Sequence, residues 1–139
     1  MKVFALALAV ALVGAACSSS ATPATGGATT TITATLTDNA ITIDQPSATN
    51  GTVTFKVVNS GTVVHSLILL KTDVAHDKLA LDPKDASRVD PTGLLRETGQ
   101  IPLGQSKEFS VKLAAGKYVL VCNEPAHYQV GMHVGLTVN

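Results

Sequence analysis

Three residues with metal-binding side chains lie close together near the end of the sequence. Cys122 is followed five residues later by His127 and five residues after that by Met132. The segments on either side are apolar and strand-like, so this stretch is a loop between two strands. Such a loop must leave and return within about ten residues, which brings the thiol, the imidazole and the thioether round a common point. Pro125 and Gly131 suit so tight a course.

A fourth candidate ligand, His65, lies far away in sequence, in the apolar segment 63–70. Two imidazoles, a thiolate and a weak axial thioether are the ligand set of a type 1, or blue, copper centre. The sequence therefore predicts one copper atom held by His65, Cys122, His127 and Met132. Each ligand also has a purely structural interpretation: Met132 fills the core, Cys122 is a small buried hydrophobe, and the histidines are hydrogen-bonded structural residues.

The other two histidines are predicted not to bind this copper. His133 directly follows Met132 at the start of a strand, where neighbouring side chains face opposite sides. His76 stands beside Asp77 in a charged segment and is interpreted as a solvated surface residue.

The pattern of apolar residues predicts an all-β chain. The sequence has 45% hydrophobic residues, few aromatics and much Val, Leu, Ile and Thr, a composition that favours strands. Segments that alternate, as half-buried strands do, are 31–36, 41–43, 51–59, 106–113 and 133–138. Segments 63–70 and 118–122 are apolar on both faces, which is typical of central strands. We expect a Greek-key β-sandwich of seven or eight strands.

The segment 71–98 interrupts this pattern. It holds about half of the charged residues and no alternating stretch, so we expect a loop or helical insertion. Short helical turns are predicted for 77–80 and 91–97, with Asp90 as a cap before Pro91. A segment of this length without strands either has a function or is only a solvent-exposed loop.

The N-terminal residues have the layout of an export signal. Residues 1–16 contain Lys2, an apolar run and small residues, and the run is too short to span a membrane. Gly14-Ala15-Ala16-Cys17 resembles a bacterial lipobox, which predicts a lipid on Cys17; a free thiol after ordinary cleavage is the alternative. Residues 17–30 then form a flexible tether to a single domain, 31–139. The protein is thus expected to be exported and lipid-anchored, at the outer face of the cytoplasmic membrane or in the periplasm.

The charge balance limits the possible partners. Ten Lys and Arg residues are matched by ten Asp and Glu residues. A neutral chain without a basic patch argues against nucleic-acid binding and against long-range steering of a charged partner.

The stretch from Gly116 to His133, with its C-x4-H-x4-M spacing, resembles the C-terminal signature of the cupredoxins, and the upstream His65 extends the match over about residues 31–139. The resemblance implies a Greek-key sandwich with copper near one end. It further implies that a donor and an acceptor exchange single electrons with the copper. His127 would be the partly exposed ligand through which electrons pass, framed by an apolar docking patch of Pro125, Ala126, Val130 and Gly131.

The same resemblance assigns supporting roles beside the copper. Ser66 stands where relatives commonly have an Asn that ties the two ligand loops together, and Asn123 follows the cysteine. We expect a monomeric electron carrier rather than an enzyme. A copper carrier or buffer is the main alternative; a copper enzyme would need a second metal site, and a metal-free adhesion sandwich would not need the ligand set.

Overall fold

The computed structural model describes residues 29–139, and these residues form eleven strands. The predicted strands correspond to β1 (Thr29–Thr37), β2 (Ala40–Ile43), β4 (Gly51–Asn59), β5 (His65–Lys71), β9 (Ser106–Leu113), β10 (Gly116–Val121) and β11 (His133–Val138). The additional strands are β3 (Ser47–Ala48), β6 (Leu81–Asp82), β7 (Asp85–Val89) and β8 (Leu94–Ile101). The all-β class is confirmed. No helix among the described residues is long and apolar enough to cross a membrane.

Two sheets form the body of the fold. One has the strand order β2-β1-β4-β9 and the other the order β3-β11-β10-β5-β8, while β6 and β7 form a separate hairpin. Most neighbours are antiparallel, but β1 runs parallel to β4 and β11 runs parallel to β3. Strand β10 lies between β5 and β11, so the segments that lead into and out of the metal-binding loop are adjacent to the strand that starts with His65.

Apolar side chains from both sheets meet in a single main core. The alternation predicted for β1 and β4 is present, since Ile32, Ala34 and Leu36, like Val53 and Phe55, are fully buried. Inward-facing residues of the second sheet complete this core: Leu67, Leu69, Tyr118, Leu120, Cys122 and Met132. The thiol and the thioether thus sit at the end of the main hydrophobic core, where few waters compete for a metal.

The central strands β5 and β10 are buried on both faces, as predicted. Their outward-facing side chains form a second apolar cluster with Val89 and Tyr128: Ile68, Leu70, Val119 and Val121. Val89 belongs to strand β7, inside the segment 71–98. That segment therefore covers the outer face of the second sheet.

The helical turns predicted within 71–98 are wrong. Residues 94–97 begin strand β8, which pairs with β5 and so receives its backbone hydrogen bonds from a neighbouring strand. Residues 77–80 form no helix; one hydrogen bond from Lys78 N–H to Ala75 O closes a single turn there. Asp90 does cap a turn, accepting hydrogen bonds from the amide and hydroxyl of Thr92 at 2.9 and 2.7 Å. The charged residues obscured the strand because β8 is an edge strand with few buried positions.

Predictions for the N-terminal 28 residues lie outside the described part of the chain. These include the export signal, the lipid on Cys17 and most of the tether. Strand β1 begins at Thr29, slightly before the predicted start of the domain.

Candidate metal centre

His65, Cys122 and His127 converge at one end of the sandwich. The Nδ1 atoms of the two histidines are 3.1 Å apart, and Cys122 Sγ lies 3.7 Å from His65 Nδ1 and 3.3 Å from His127 Nδ1. Among residues 29–139 this is the only group of three or more His, Cys, Asp or Glu side chains arranged to hold a metal ion. Two imidazole nitrogens and a thiolate around one point fit copper by donor chemistry and by arrangement.

Met132, the predicted axial ligand, is fully buried beside this group. Its backbone carbonyl accepts a hydrogen bond from Cys122 N–H at 3.0 Å, and its own N–H donates to His127 O at 3.1 Å. His127 N–H in turn donates to Glu124 O at 3.1 Å. These bonds link the backbones of the three ligands of the loop to one another.

Two residues of the loop adopt backbone conformations with positive φ. Ala126, directly before His127, has φ of 66°, which is strained for a residue with a Cβ atom. Gly131, directly before Met132, has φ of 110°, and a Cβ there would approach Asn39 O to 3.1 Å. Each unusual backbone conformation therefore lies directly before a predicted copper ligand.

Burial sets the protonation of the ligands. It raises the pKa of the Cys122 thiol above its ordinary value, so a metal must displace the thiol proton on binding. It lowers the pKa of His127, and the neighbouring His65 lowers that pKa further, which favours the neutral form that can ligate a metal.

Comparison with solved structures shows that the chain shares its fold with copper proteins. No protein-family model matches the sequence, and no curated protein is significantly similar to it. A reduced auracyanin from the photosynthetic bacterium Roseiflexus castenholzii is 29% identical, with 81% of this chain and 99% of that chain covered and a TM-score of 0.59. Auracyanin A from Chloroflexus aurantiacus, a blue copper protein, is 25% identical, with 81% and 100% covered and a TM-score of 0.57. Rusticyanin from Thiobacillus ferrooxidans shares the fold at 20% identity, with 81% and 79% covered and a TM-score of 0.61.

The chain has the fold and the ligand set of a cupredoxin. Auracyanin A is described as a blue copper protein, and rusticyanin is described as a copper protein. The side chains of His65, Cys122, His127 and Met132 together supply the donor set of one type 1 copper site.

Ser66 and Asn123, the two supporting residues predicted from the sequence, contact different parts of the molecule. Ser66 reaches the thiolate through its backbone, because its N–H donates to Cys122 Sγ at 3.4 Å. Asn123 faces the segment 71–98 instead: its Oδ1 accepts a hydrogen bond from Val89 N–H at 2.7 Å. The first contact stabilises a thiolate directly, whereas the second fixes the backbone next to Cys122.

The segment 71–98 contacts the ligand loop from outside. Ala126 N–H donates to Ser87 O at 2.7 Å, and the Gln129 amide donates to Ala86 O at 3.0 Å. Arg88 also donates to Asn123 O. Strand β7 thus contacts the loop on both sides of His127. For β7, the interpretation of the segment as only a solvent-exposed loop is wrong.

His76 is not the solvated surface residue that was expected. It is half-buried, and its Nδ1 lies 2.7 Å from Nδ1 of His133, whose ring also packs against Tyr128. The Tyr128 hydroxyl accepts a hydrogen bond from Leu79 N–H at 2.8 Å. His133 lies outside the copper-binding group, as predicted. Its contact with His76 connects the segment 71–98 to the start of β11.

Sequence reasoning missed two polar residues that support His65. Asn59 is buried at the end of β4; its amide donates to Val63 O and Ile101 O at 2.8 and 2.9 Å, and its Oδ1 accepts from Gly61 N–H at 2.9 Å. Asp38, in the turn between β1 and β2, lies beside His65 Nε2. The turn-like run Asn59-Ser60-Gly61 at the end of β4 is the one sequence signal for this support, and nothing in the local pattern pairs Asp38 with His65.

Proposed function

We propose that this protein carries single electrons between redox partners through one type 1 copper atom. The observation that carries the proposal is the convergence of Cys122 Sγ with the Nδ1 atoms of His65 and His127 inside a blue copper fold. Copper in such a site changes between two oxidation states that differ by one electron.

The protein contributes a rigid and dry ligand frame. His65, Cys122 and Met132 are each 0% exposed, so water does not compete for the centre. Backbone hydrogen bonds hold the ligand loop, and Ser66 N–H stabilises the sulfur. A frame that is the same in both oxidation states leaves little to reorganise during electron transfer. The same burial argues against the alternative of a carrier that releases copper, since transfer would require the core to open.

Exposed apolar side chains around His127 form the proposed docking patch. Of the residues expected to frame His127, Pro125 and Ala126 are exposed, Gly131 is half-buried, and Val130 is exposed by 56% of its surface. Val63, in the loop before β5, and Leu103, in the loop after β8, are exposed by 45 and 52%. His127 itself is half-buried. Because redox encounters use small transient interfaces, a small apolar patch of this kind suits a redox partner protein.

We place the protein outside the cytoplasmic membrane, anchored through a lipid on Cys17 and working as a monomer without enzymatic activity. The layout of residues 1–16 and the lipobox-like sequence before Cys17 support export and anchoring. Mass spectrometry of the mature N-terminus tests this: a diacylglycerol-modified Cys17 is expected, and an unmodified cysteine would refute the anchor.

A spectrum of the Cu(II)-loaded protein tests the copper centre. Thiolate ligation predicts an intense band near about 600 nm that ascorbate bleaches and a mild oxidant restores. Cys122→Ser should abolish the band, whereas His76→Gln, a histidine outside the centre, should leave it unchanged. A colourless wild-type protein would refute the blue copper assignment.

A second experiment separates an electron carrier from a copper carrier. The reduced protein is mixed with an oxidised cytochrome c and, in parallel, with a strong Cu(I) chelator. Fast electron transfer with slow loss of copper is expected. Rapid loss of copper to the chelator, with negligible electron transfer, would favour the copper carrier.

A further inference from the structure

The two ring nitrogens of His65 have different neighbours. Nδ1 faces the copper ligands His127 and Cys122, and Nε2 points away from them to Asp38 Oδ1, 3.3 Å distant. His65 itself is fully buried, so no solvent water is available to its Nε2–H. The Asp38 carboxylate is thus the polar partner of the ring nitrogen that does not face the metal site.

Asp38 is held in this position by the loop that precedes His65. Thr62 N–H donates to Oδ1 at 2.7 Å, and the Thr62 hydroxyl donates to Oδ2 at 2.7 Å. Both carboxylate oxygens are therefore engaged. The contact joins the β1–β2 turn to the β4–β5 loop, two segments that are distant in the sequence.

Gly61 leaves the space in which this contact forms. A Cβ atom at position 61 would lie 2.3 Å from Asp38 Oδ1 and 2.6 Å from His65 Nε2. Neither distance is tolerated between non-bonded atoms, and the buried imidazole has no room to move. The glycine is thus a steric requirement for the approach of Asp38 to His65.

We propose that Asp38 is a positioning residue for the copper centre: its carboxylate accepts the Nε2–H of His65, presents Nδ1 to copper and lowers the reduction potential. A metal-bound histidine is oriented and made more basic by such a partner on its other nitrogen. A nearby negative charge also stabilises Cu(II) more than Cu(I), because the oxidised ion carries one more positive charge. The inference rests on the proposed blue copper function and adds a residue that controls its potential.

Asp38→Asn removes the charge and keeps the shape. The Asn Oδ1 still accepts from Thr62 N–H and from His65 Nε2–H, and its amide group donates to the Thr62 hydroxyl oxygen. The matched control is Asp44→Asn, since Asp44 is also exposed and its Oδ1 accepts a backbone hydrogen bond, from Thr33 N–H at 2.9 Å.

The reduction potential of the copper-loaded variants is the deciding measurement. Partners of this kind alter metal affinity by about tenfold or more. Because the carboxylate charge favours Cu(II) over Cu(I), this loss falls mainly on the oxidised form, and the ratio of reduced to oxidised protein at a fixed applied potential should rise about tenfold. For one electron this is a positive shift of about 59 mV. The band near about 600 nm should persist, and Asp44→Asn should keep the wild-type potential.

A measurement on the unaltered protein tests the hydrogen bond itself. In the copper(I) form, nuclear magnetic resonance of histidine-labelled protein should show a slowly exchanging proton on His65 Nε2. A rapidly exchanging or absent proton would overturn the inference, whatever the folding of the variants. A wild-type potential in blue Asp38→Asn would overturn it as well, while leaving the copper function intact; a wild-type protein without the blue band would refute the function instead.

Discussion

Replacing Asn59 with alanine should destabilise the end of the sandwich that carries His65. The Asn59 side chain is 1% exposed and makes three hydrogen bonds, with Val63 O, Ile101 O and Gly61 N–H. At about 1 kcal/mol for each bond, Asn59→Ala should lower the free energy of unfolding by about 3 kcal/mol. The carbonyl groups of Val63 and Ile101 then lose partners in a region with little access for water.

Urea denaturation of the copper-free protein, followed by far-ultraviolet circular dichroism, measures this loss. With an m-value of about 2 kcal/mol per molar urea, the midpoint should fall by about 1.5 M. Asn50→Ala is the matched control, because Asn50 is exposed and lies at the other end of β4. Its midpoint should stay within about 0.3 M of the wild type.

Asn59→Ala should also lose bound copper faster than the wild type. Asn59 holds the loop 60–64, which leads directly into His65, so its loss gives the ligand more freedom. Copper should therefore pass to a chelator faster from Asn59→Ala than from the wild type. If the midpoint and the rate of copper loss both equal those of Asn50→Ala, the buried amide does not support the site and the reasoning is refuted.

Three further predictions concern the ligand loop. Ala126→Gly should raise the free energy of unfolding by up to about 1 kcal/mol, because relief of the positive φ, about 1–2 kcal/mol, exceeds the added chain entropy of glycine; a thermal unfolding scan that shows a clear loss of stability would contradict this. Asn123→Ala leaves Val89 N–H without its side-chain acceptor and should cost about 1–2 kcal/mol, with earlier protease cleavage in 71–98 than in Asn50→Ala; equal cleavage would show that this contact does not hold the segment. Tyr128→Phe removes the acceptor of Leu79 N–H and should cost about 1 kcal/mol in urea denaturation while the blue band keeps its position; a displaced band would mean that the hydroxyl acts on the copper centre.

The fold class could be predicted because the main strands alternate cleanly. Residues such as Ile32, Ala34 and Leu36 show the two-residue period that only a half-buried strand requires. Strand β8 could not be predicted in this way, because it is an edge strand of which Ile101 is the only fully buried residue. Its identity depends on pairing with β5, a contact between segments distant in sequence.

The candidate site was predictable for a different reason. Cys122, His127 and Met132 lie in one loop, so their spacing already constrains their geometry. The pairing of His76 with His133 had no such signal, since neither residue type nor spacing indicates that the two rings meet. The role of the segment 71–98 could not be predicted either. The segment contacts the ligand loop mostly through its own backbone N–H and C=O groups, which are the same for every residue type.

The sequence by itself determined the all-β class and the local ligand loop, because hydrophobic period and ligand spacing are properties of a single segment. The tertiary structure decided which segments meet there. It placed His65 opposite Cys122, set Asp38 behind His65 in the space that Gly61 leaves, and laid strand β7 across the loop. These contacts join parts of the chain separated by many residues, and only the packing of the two sheets brings them together.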